Sequence, residues 1–147
     1  MFRRVLIPTD GSEFSRKAIS GGIALAKMCG ATLTAVHVTP PVYVPMRDNS
    51  VEYDAAFAER LEQEYRRAGE QYLKRVESAA QAAGVTCAGV LVESRPAWEG
   101  IVEAAQKHGC DVIVMAAHGR AGIKALVLGS ETDKVLTHSK IPVLVYR

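Results

Sequence analysis

The residues best suited to chemistry lie in one stretch near the C-terminus. It reads Met115-Ala116-Ala117-His118-Gly119-Arg120-Ala121-Gly122-Ile123-Lys124-Ala125-Leu126-Val127-Leu128-Gly129-Ser130. Glycine lets backbone N–H groups approach an anion with no Cβ in the way. Gly129-Ser130 stands where a last helix should open. A helix N-terminus presents unpaired N–H groups and about half a unit of positive charge, which suits a phosphate. The Ser130 hydroxyl can add a hydrogen bond, and Arg120 or Lys124 can reach the same anion. Glycine also collects in loops simply to turn the chain, so the pattern is not decisive alone. Glu131 adds a constraint, because its carboxylate suits a bare helix N-terminus and repels a phosphate there.

Asp10 is the second candidate. It follows a short apolar run, Val5-Leu6-Ile7, ended by Pro8-Thr9. A carboxylate at that place can accept hydrogen bonds from ribose hydroxyls, help hold a metal, or cap the following helix. Its two oxygens allow two of these roles at once. His118 invites a catalytic reading, yet no serine or cysteine nucleophile stands beside it in sequence. A loop-shaping or solvent-facing histidine is the better reading. His37 falls mid-strand and reads as a partnered core histidine, and Trp98, at a helix start, as packing against the sheet edge.

The elements that must position these groups follow from periodicity. Arg3–Pro8 reads as a buried strand. Asp10 or Ser12 can cap the helix after it. In that helix Ile19, Ile23 and Ala26 share one face, with Ala18, Gly22, Leu25 and Cys29 on the neighbouring one, and Gly30 stops it. Thr32–Val38 is a second strand, parallel to the first because a helix joins them through short loops. Thr39–Asn49 holds Pro40, Pro41 and Pro45 and reads as an irregular surface loop. A long helix spans 54–83, with an apolar stripe of Leu61, Tyr65, Ala68, Tyr72, Val76, Ala79 and Ala83. Then come a strand at Val85–Val92, a turn at Ser94-Arg95-Pro96 with Pro96 in the first helical turn, and a helix at Ala97–His108. A nearly all-apolar strand follows at Val112–Ala116, then a helix at Ser130–Ser139 and a strand at Pro142–Tyr146. Such regular alternation predicts an open parallel sheet with helices on both faces. Ligands of such sheets sit outside the carboxyl ends of the strands, at the switch point in strand order.

Composition narrows the function classes. The 147 residues fit one domain, and 48% hydrophobic with 23% charged residues is ordinary globular usage. A net charge of +2 from 18 basic and 16 acidic residues argues against nucleic acid. No apolar run approaches the roughly 18 residues of a membrane span. Met1 leads straight into Phe2-Arg3-Arg4-Val5 with no signal-peptide apolar region. Cys29, Cys87 and Cys110 lack metal-ligand spacing and read as reduced core thiols. Together these features predict a cytoplasmic protein. There is no Gly-x4-Gly-Lys-Ser/Thr loop for a Walker-type ATPase, and no Gly-x-Gly-x-x-Gly after the first strand for a dinucleotide. A phospho-receiver would need an acidic pair where Asp10 stands alone.

Val5-Leu6-Ile7-Pro8-Thr9-Asp10-Gly11-Ser12, the Gly119…Gly129-Ser130 loop and the ending Lys140-Ile141-Pro142-Val143-Leu144-Val145 resemble the universal stress protein family over essentially the whole chain. The resemblance implies one domain over 1–147, a doubly wound α/β fold with a five-stranded parallel sheet in the order 3-2-1-4-5. It implies ATP as ligand, with ADP or AMP as alternatives and Mg as a companion. Nucleotide-binding members carry Gly-x2-Gly-x9-Gly-Ser or Thr. Here Ala116 takes the first glycine position, and nine residues separate Gly119 from Gly129, as that pattern requires. The implied site is Pro8, Thr9 and Asp10, with Asp10 facing the ribose side, Val38 reading adenine through its backbone, Ala116 where the ribose side passes, and the backbone groups of Gly119, Gly129, Ser130 and Glu131 holding the phosphates; Met115, His118 and Arg120 complete the loop. It further implies a homodimer through the apolar strand Val143–Tyr146, whose exposed edge would otherwise be a hazard.

Three readings follow. The first is a stress-response protein that senses or buffers ATP and acts through a protein partner, without being a dedicated enzyme. The second is an interaction module of the same fold that binds no nucleotide because of Ala116. The third is a small-molecule enzyme using the pocket between the first and fourth strands.

Overall fold

Val5, Leu6 and Ile7 have no solvent-accessible surface at all. Successive strand residues face opposite sides, so a strand buried at every position needs a layer on each. The computed structural model, which describes residues 1–43, 55–118 and 128–147, supplies both layers. The elements are β1 (Arg4–Pro8), α1 (Glu13–Cys29), β2 (Thr32–Thr39), α2 (Ala55–Ala82), β3 (Cys87–Glu93), α3 (Ala97–Lys107), β4 (Val112–Ala116), α4 (Ser130–His138) and β5 (Val143–Tyr146). The five strands form one sheet in the order β3-β2-β1-β4-β5, and every pairing is parallel. This is the doubly wound fold expected from the alternation.

The two faces divide the core by parity. Val5, Ile7, Val112 and Val114 pack with Ile23 and Ala26 of α1 and Ala80 of α2. Leu6, Ile113 and Met115 pack with Ile101, Val102, Ala104 and Ala105 of α3 and Val135 of α4. Helices α1 and α2 therefore cover one face, and α3 and α4 the other. Ser12 caps α1 by accepting from the Ser15 N–H at 3.4 Å, and Gly30 closes it with φ 64°.

Three expectations shift. Strand β3 begins at Cys87 rather than Val85, because the Val85 N–H donates to Ala80 O at 2.9 Å and so belongs to the turn out of α2. The buried residues of α2 are Ala58, Gly69, Leu73, Val76 and Ala80, so the packed face is rotated towards Gly69 from the expected stripe, of which Val76 and the partly buried Tyr72 face the sheet while Ala79 is exposed. Gly69 decides this rotation. A Cβ there would lie 2.6 Å from Leu91 Cδ1 and 2.7 Å from His37 Cδ2, so the helix comes closest to the sheet at a residue with no hydropathy to reveal it. Pro96, after a cis Arg95–Pro96 bond, stands at the N-cap of α3 rather than inside its first turn.

The three cysteines are free. Burial first of all pushes the Cys87 thiol up to about 11, with smaller opposing and adding effects from the Ala35 backbone and Glu77. Burial also raises Cys110. A thiol held protonated is a poor nucleophile, which agrees with the core reading of these two.

Gly100 sets how closely α3 approaches the end of β2. A Cβ would meet Ser94 Cβ at 2.8 Å and Val38 Cγ1 at 3.1 Å, both close to the backbone and unable to swing away. Gly100→Ala is expected to destabilise the protein by about 1–3 kcal/mol through overpacking, read as a lower urea midpoint.

Candidate functional site

β1 is the strand at which the winding reverses. The chain leaves it towards β2 and later returns to its other side at β4. The crevice outside the carboxyl ends of these two neighbours is the switch point. One wall is the segment Pro8–Ser12, and the other is the end of β4 with the N-terminus of α4.

Proline ends β1 because it has no N–H to continue the ladder. The polar groups of the turn are then satisfied one by one. The Thr9 N–H donates to Val36 O at 2.9 Å, and the Gly11 N–H donates to Thr9 Oγ1 at 3.2 Å. Thr9 Oγ1 also meets the buried Ser15 hydroxyl at 3.4 Å. The Ser12 N–H donates to Asp10 Oδ1 at 2.9 Å. Asp10 and Ser12 thus divide the expected capping work, with the carboxylate holding the turn and the hydroxyl capping the helix. A carboxylate can accept more than one bond, so holding the turn does not by itself bar Asp10 from a second role at the mouth of the crevice. His37 Nδ1 lies 2.7 Å from Thr9 O, which makes it the partnered histidine its position suggested.

The second wall is pinned to the sheet at its base. The Ala117 N–H donates to Tyr146 O at 2.7 Å, the Gly129 N–H to Ala117 O at 2.8 Å, and the buried Thr132 hydroxyl to Ala116 O at 2.9 Å. These bonds hold the first turn of α4 against the end of β4. Ala116 itself pairs with Tyr146 in the ladder. Its backbone is extended, so alanine in place of glycine carries no left-handed strain.

Glu131 resolves the charge problem it poses. Its carboxylate accepts the Trp98 N–H at 2.7 Å. Pro96 caps α3 in position but makes no side-chain bond. Glu131 therefore caps α3 from the neighbouring helix, and its negative charge is drawn to the α3 N-terminus and away from that of α4. The Trp98 indole stacks on His138, with ring centroids 4.5 Å apart at 22°. Trp98 accordingly seals the seam between α3 and α4 rather than the sheet edge.

The predicted site residues sort as follows. Pro8, Thr9 and Asp10 line the β1 end, with the Thr9 side chain buried inside the turn. Val38 lies beyond the last β1–β2 pair, Pro8 with Val36, so its backbone passes the end of β1. The Met115 side chain is buried in the core, which leaves its backbone for the crevice. Ala116, half-buried His118, Gly129, Ser130 and Glu131 gather at the β4–α4 end. Because the Gly129 N–H is already taken, the α4 amides available to an anion begin at Ser130. Gly119 and Arg120 lie outside the described residues, as do Gly122, Lys124 and Pro45. Sequence reasoning missed the contacts between Tyr72, Gly11 and His37. The signal was glycine, at 11 and 69, facing a ring in each case. Among the described residues no three His, Cys, Asp or Glu side chains form a metal site, and no helix is long and apolar enough to cross a membrane.

The universal stress protein family model matches residues 1–147. Universal stress protein MJ0531 of Methanocaldococcus jannaschii is 35% identical over 150 residues, covering 100% of this chain and 83% of the relative. Universal stress protein YxiE of Bacillus subtilis is 31% identical over 158 residues, covering 100% of both. Among solved structures, MJ0577 of M. jannaschii aligns with a TM-score of 0.82 at 26% identity, over 99% of this chain and 95% of that one. A universal stress protein in complex with cAMP aligns at 0.74 with 24% identity, over 99% and 97%. The Archaeoglobus fulgidus universal stress protein in complex with dAMP aligns at 0.68 with 16% identity, over 99% and 98%.

Glu131→Ala removes the cap of α3 and is expected to cost about 0.5–2 kcal/mol. Glu131→Gln keeps an acceptor oxygen and should lose less. Chemical denaturation of both variants, with Trp98 fluorescence as the probe, reads the difference.

Proposed function

The chain belongs to the universal stress protein family, and we propose that it binds an adenine nucleotide, ATP foremost, in the crevice between β1 and β4 and acts as a stress-response sensor or regulator. The observation that carries this reading is the state of the α4 N-terminus. It is pinned to the end of β4 by Gly129 and Thr132, and of the two carboxylates in its first turn, Glu131 and Asp133, the one nearer the helix end, Glu131, is turned onto α3. The complexes of two structural neighbours with cAMP and dAMP support the choice of adenine nucleotide.

In this reading Pro8, Thr9, Asp10 and the Val38 backbone take the nucleoside, with Asp10 accepting from ribose hydroxyls. Met115, Ala116 and His118 follow the chain past the ribose. Gly119, Arg120, the chain at Gly129 and the amides of Ser130 and Glu131 surround the phosphates. ADP and AMP fit the same wall with fewer contacts, and Mg would travel with the phosphates. The crevice is built to hold rather than to react: its carboxylate is engaged in a turn and its anion donors are amides. We therefore read a cytoplasmic regulator that works through a protein partner, with any ATP hydrolysis slow and incidental.

Calorimetric titration with ATP, ADP and AMP tests this. Binding is expected for the parent, and Asp10→Ala should weaken ATP about tenfold to a hundredfold, the worth of a charged hydrogen bond. No binding at millimolar nucleotide ends the reading. Ala116 favours the rival, a module of the same fold without nucleotide. Binding gained only in Ala116→Gly would establish that rival.

We also propose a homodimer through β5. This strand is an edge of the sheet, and Leu144 on it is 41% exposed. Two-fold pairing of the same edge would cover it. Sedimentation equilibrium should give a dimer for the parent and a monomer for Leu144→Lys; a monomeric parent refutes the interface.

A further inference from the structure

His37 stands outside every role assigned so far, yet it touches the nucleoside wall directly. Its Nδ1 lies 2.7 Å from Thr9 O. A carbonyl oxygen only accepts, so Nδ1 carries the proton and donates. That bond completes the set on Thr9, whose N–H goes to Val36 O and whose hydroxyl meets the Gly11 N–H and Ser15. The next residue is Asp10.

Helix α2 holds the histidine in place. The His37 ring meets the Tyr72 ring edge-on, with centroids 5.2 Å apart at 72°. Tyr72 in turn lies over Gly11, whose φ of 76° and missing Cβ make room for the ring. Gly69, one turn earlier, lets α2 come close to the imidazole. Two glycines thus admit two rings, and the result is a donor aimed at the residue before Asp10.

We propose that His37 is a positioning residue that sets the carboxylate of Asp10 for ribose recognition, so that this bond controls discrimination by the sugar hydroxyls and leaves the phosphate end untouched. The inference rests on the nucleotide reading above. It assigns the two ends of the crevice to separate supports: side chains of β2 and α2 at the ribose, backbone of β4 and α4 at the phosphates.

Two variants separate the donor from the ring. His37→Phe keeps an aromatic ring against Tyr72 and removes the donor. His37→Asn removes the ring and keeps an N–H at the Nδ1 position. Binding of ATP, 2′-deoxy-ATP and inorganic tripolyphosphate is measured for each, with hydrogen exchange of the Gly11 and Ser12 amides as a ligand-free readout. The parent and His37→Asn are expected to prefer ATP over 2′-deoxy-ATP about tenfold, one hydrogen bond's worth. In His37→Phe that preference should fall to about one, tripolyphosphate affinity should hold, and the two amides should exchange faster.

Full discrimination and unchanged exchange in His37→Phe overturn the proposal. So does loss in His37→Asn but not in His37→Phe, which would make the ring a packing element only. Should His37→Phe fail to fold, His37→Leu, which likewise removes the donor, takes its place: a lost preference supports the proposal and a kept one overturns it. A parent that binds no nucleotide refutes the nucleotide reading instead, and the amide exchange then still judges the His37 bond.

Discussion

A buried backbone must find partners for every N–H and C=O, and the central strand of this protein makes that rule severe. β1 has neighbours on both edges and a helical layer on both faces. Its ladder ends at Pro8, where the partners run out. After one last backbone bond, from the Thr9 N–H to Val36 O, the pairing passes to side chains: Thr9, Asp10 and Ser12 within the turn, and His37 from the next strand. The crevice exists because the ladder stops, and its wall is firm because the substitute partners are all present.

The same economy operates on the other side of the switch point. The first turn of α4 must be held without using up its own amides. Thr132 and Gly129 do this from behind, bonding to β4, while Glu131 reaches sideways to α3. One acidic residue thereby solves two problems. It supplies the cap that Pro96 cannot, and it takes its charge away from the place where an anion would sit. Helices α3 and α4 become a unit joined at Trp98, whose N–H meets Glu131 and whose ring stacks on His138.

Much of this was legible in the chain itself. Apolar runs without alternation mark strands covered on both faces, and here Val112–Ala116 and Val5–Ile7 are the central pair. Short loops between strands and helices force parallel neighbours, and the regular alternation places the crevice. The misreadings have one cause, which is that periodicity sees hydropathy and not distance. It carried the stripe of α2 through Ala79, which is exposed, whereas the helix turns on Gly69, a residue that scores nothing. It also began β3 at Val85, because a buried apolar residue looks the same in a turn as in a ladder. The direction of the Glu131 carboxylate depended on a neighbour 33 positions away, and no local pattern encodes that.

The unlike construction of the two walls bears on how such a sequence drifts. A cradle of amides takes no notice of side-chain identity, so its positions are free to wander; alanine at 116 sits in an extended strand at no backbone cost. The Thr9 knot is the opposite case. Gly11, His37, Gly69 and Tyr72 each make room for, or lean on, another member of the set. Such residues change together or stay. Among descendants of this chain, neutral variation should therefore accumulate along the phosphate wall and covariation along the ribose wall, and the two halves of one crevice should age at different rates.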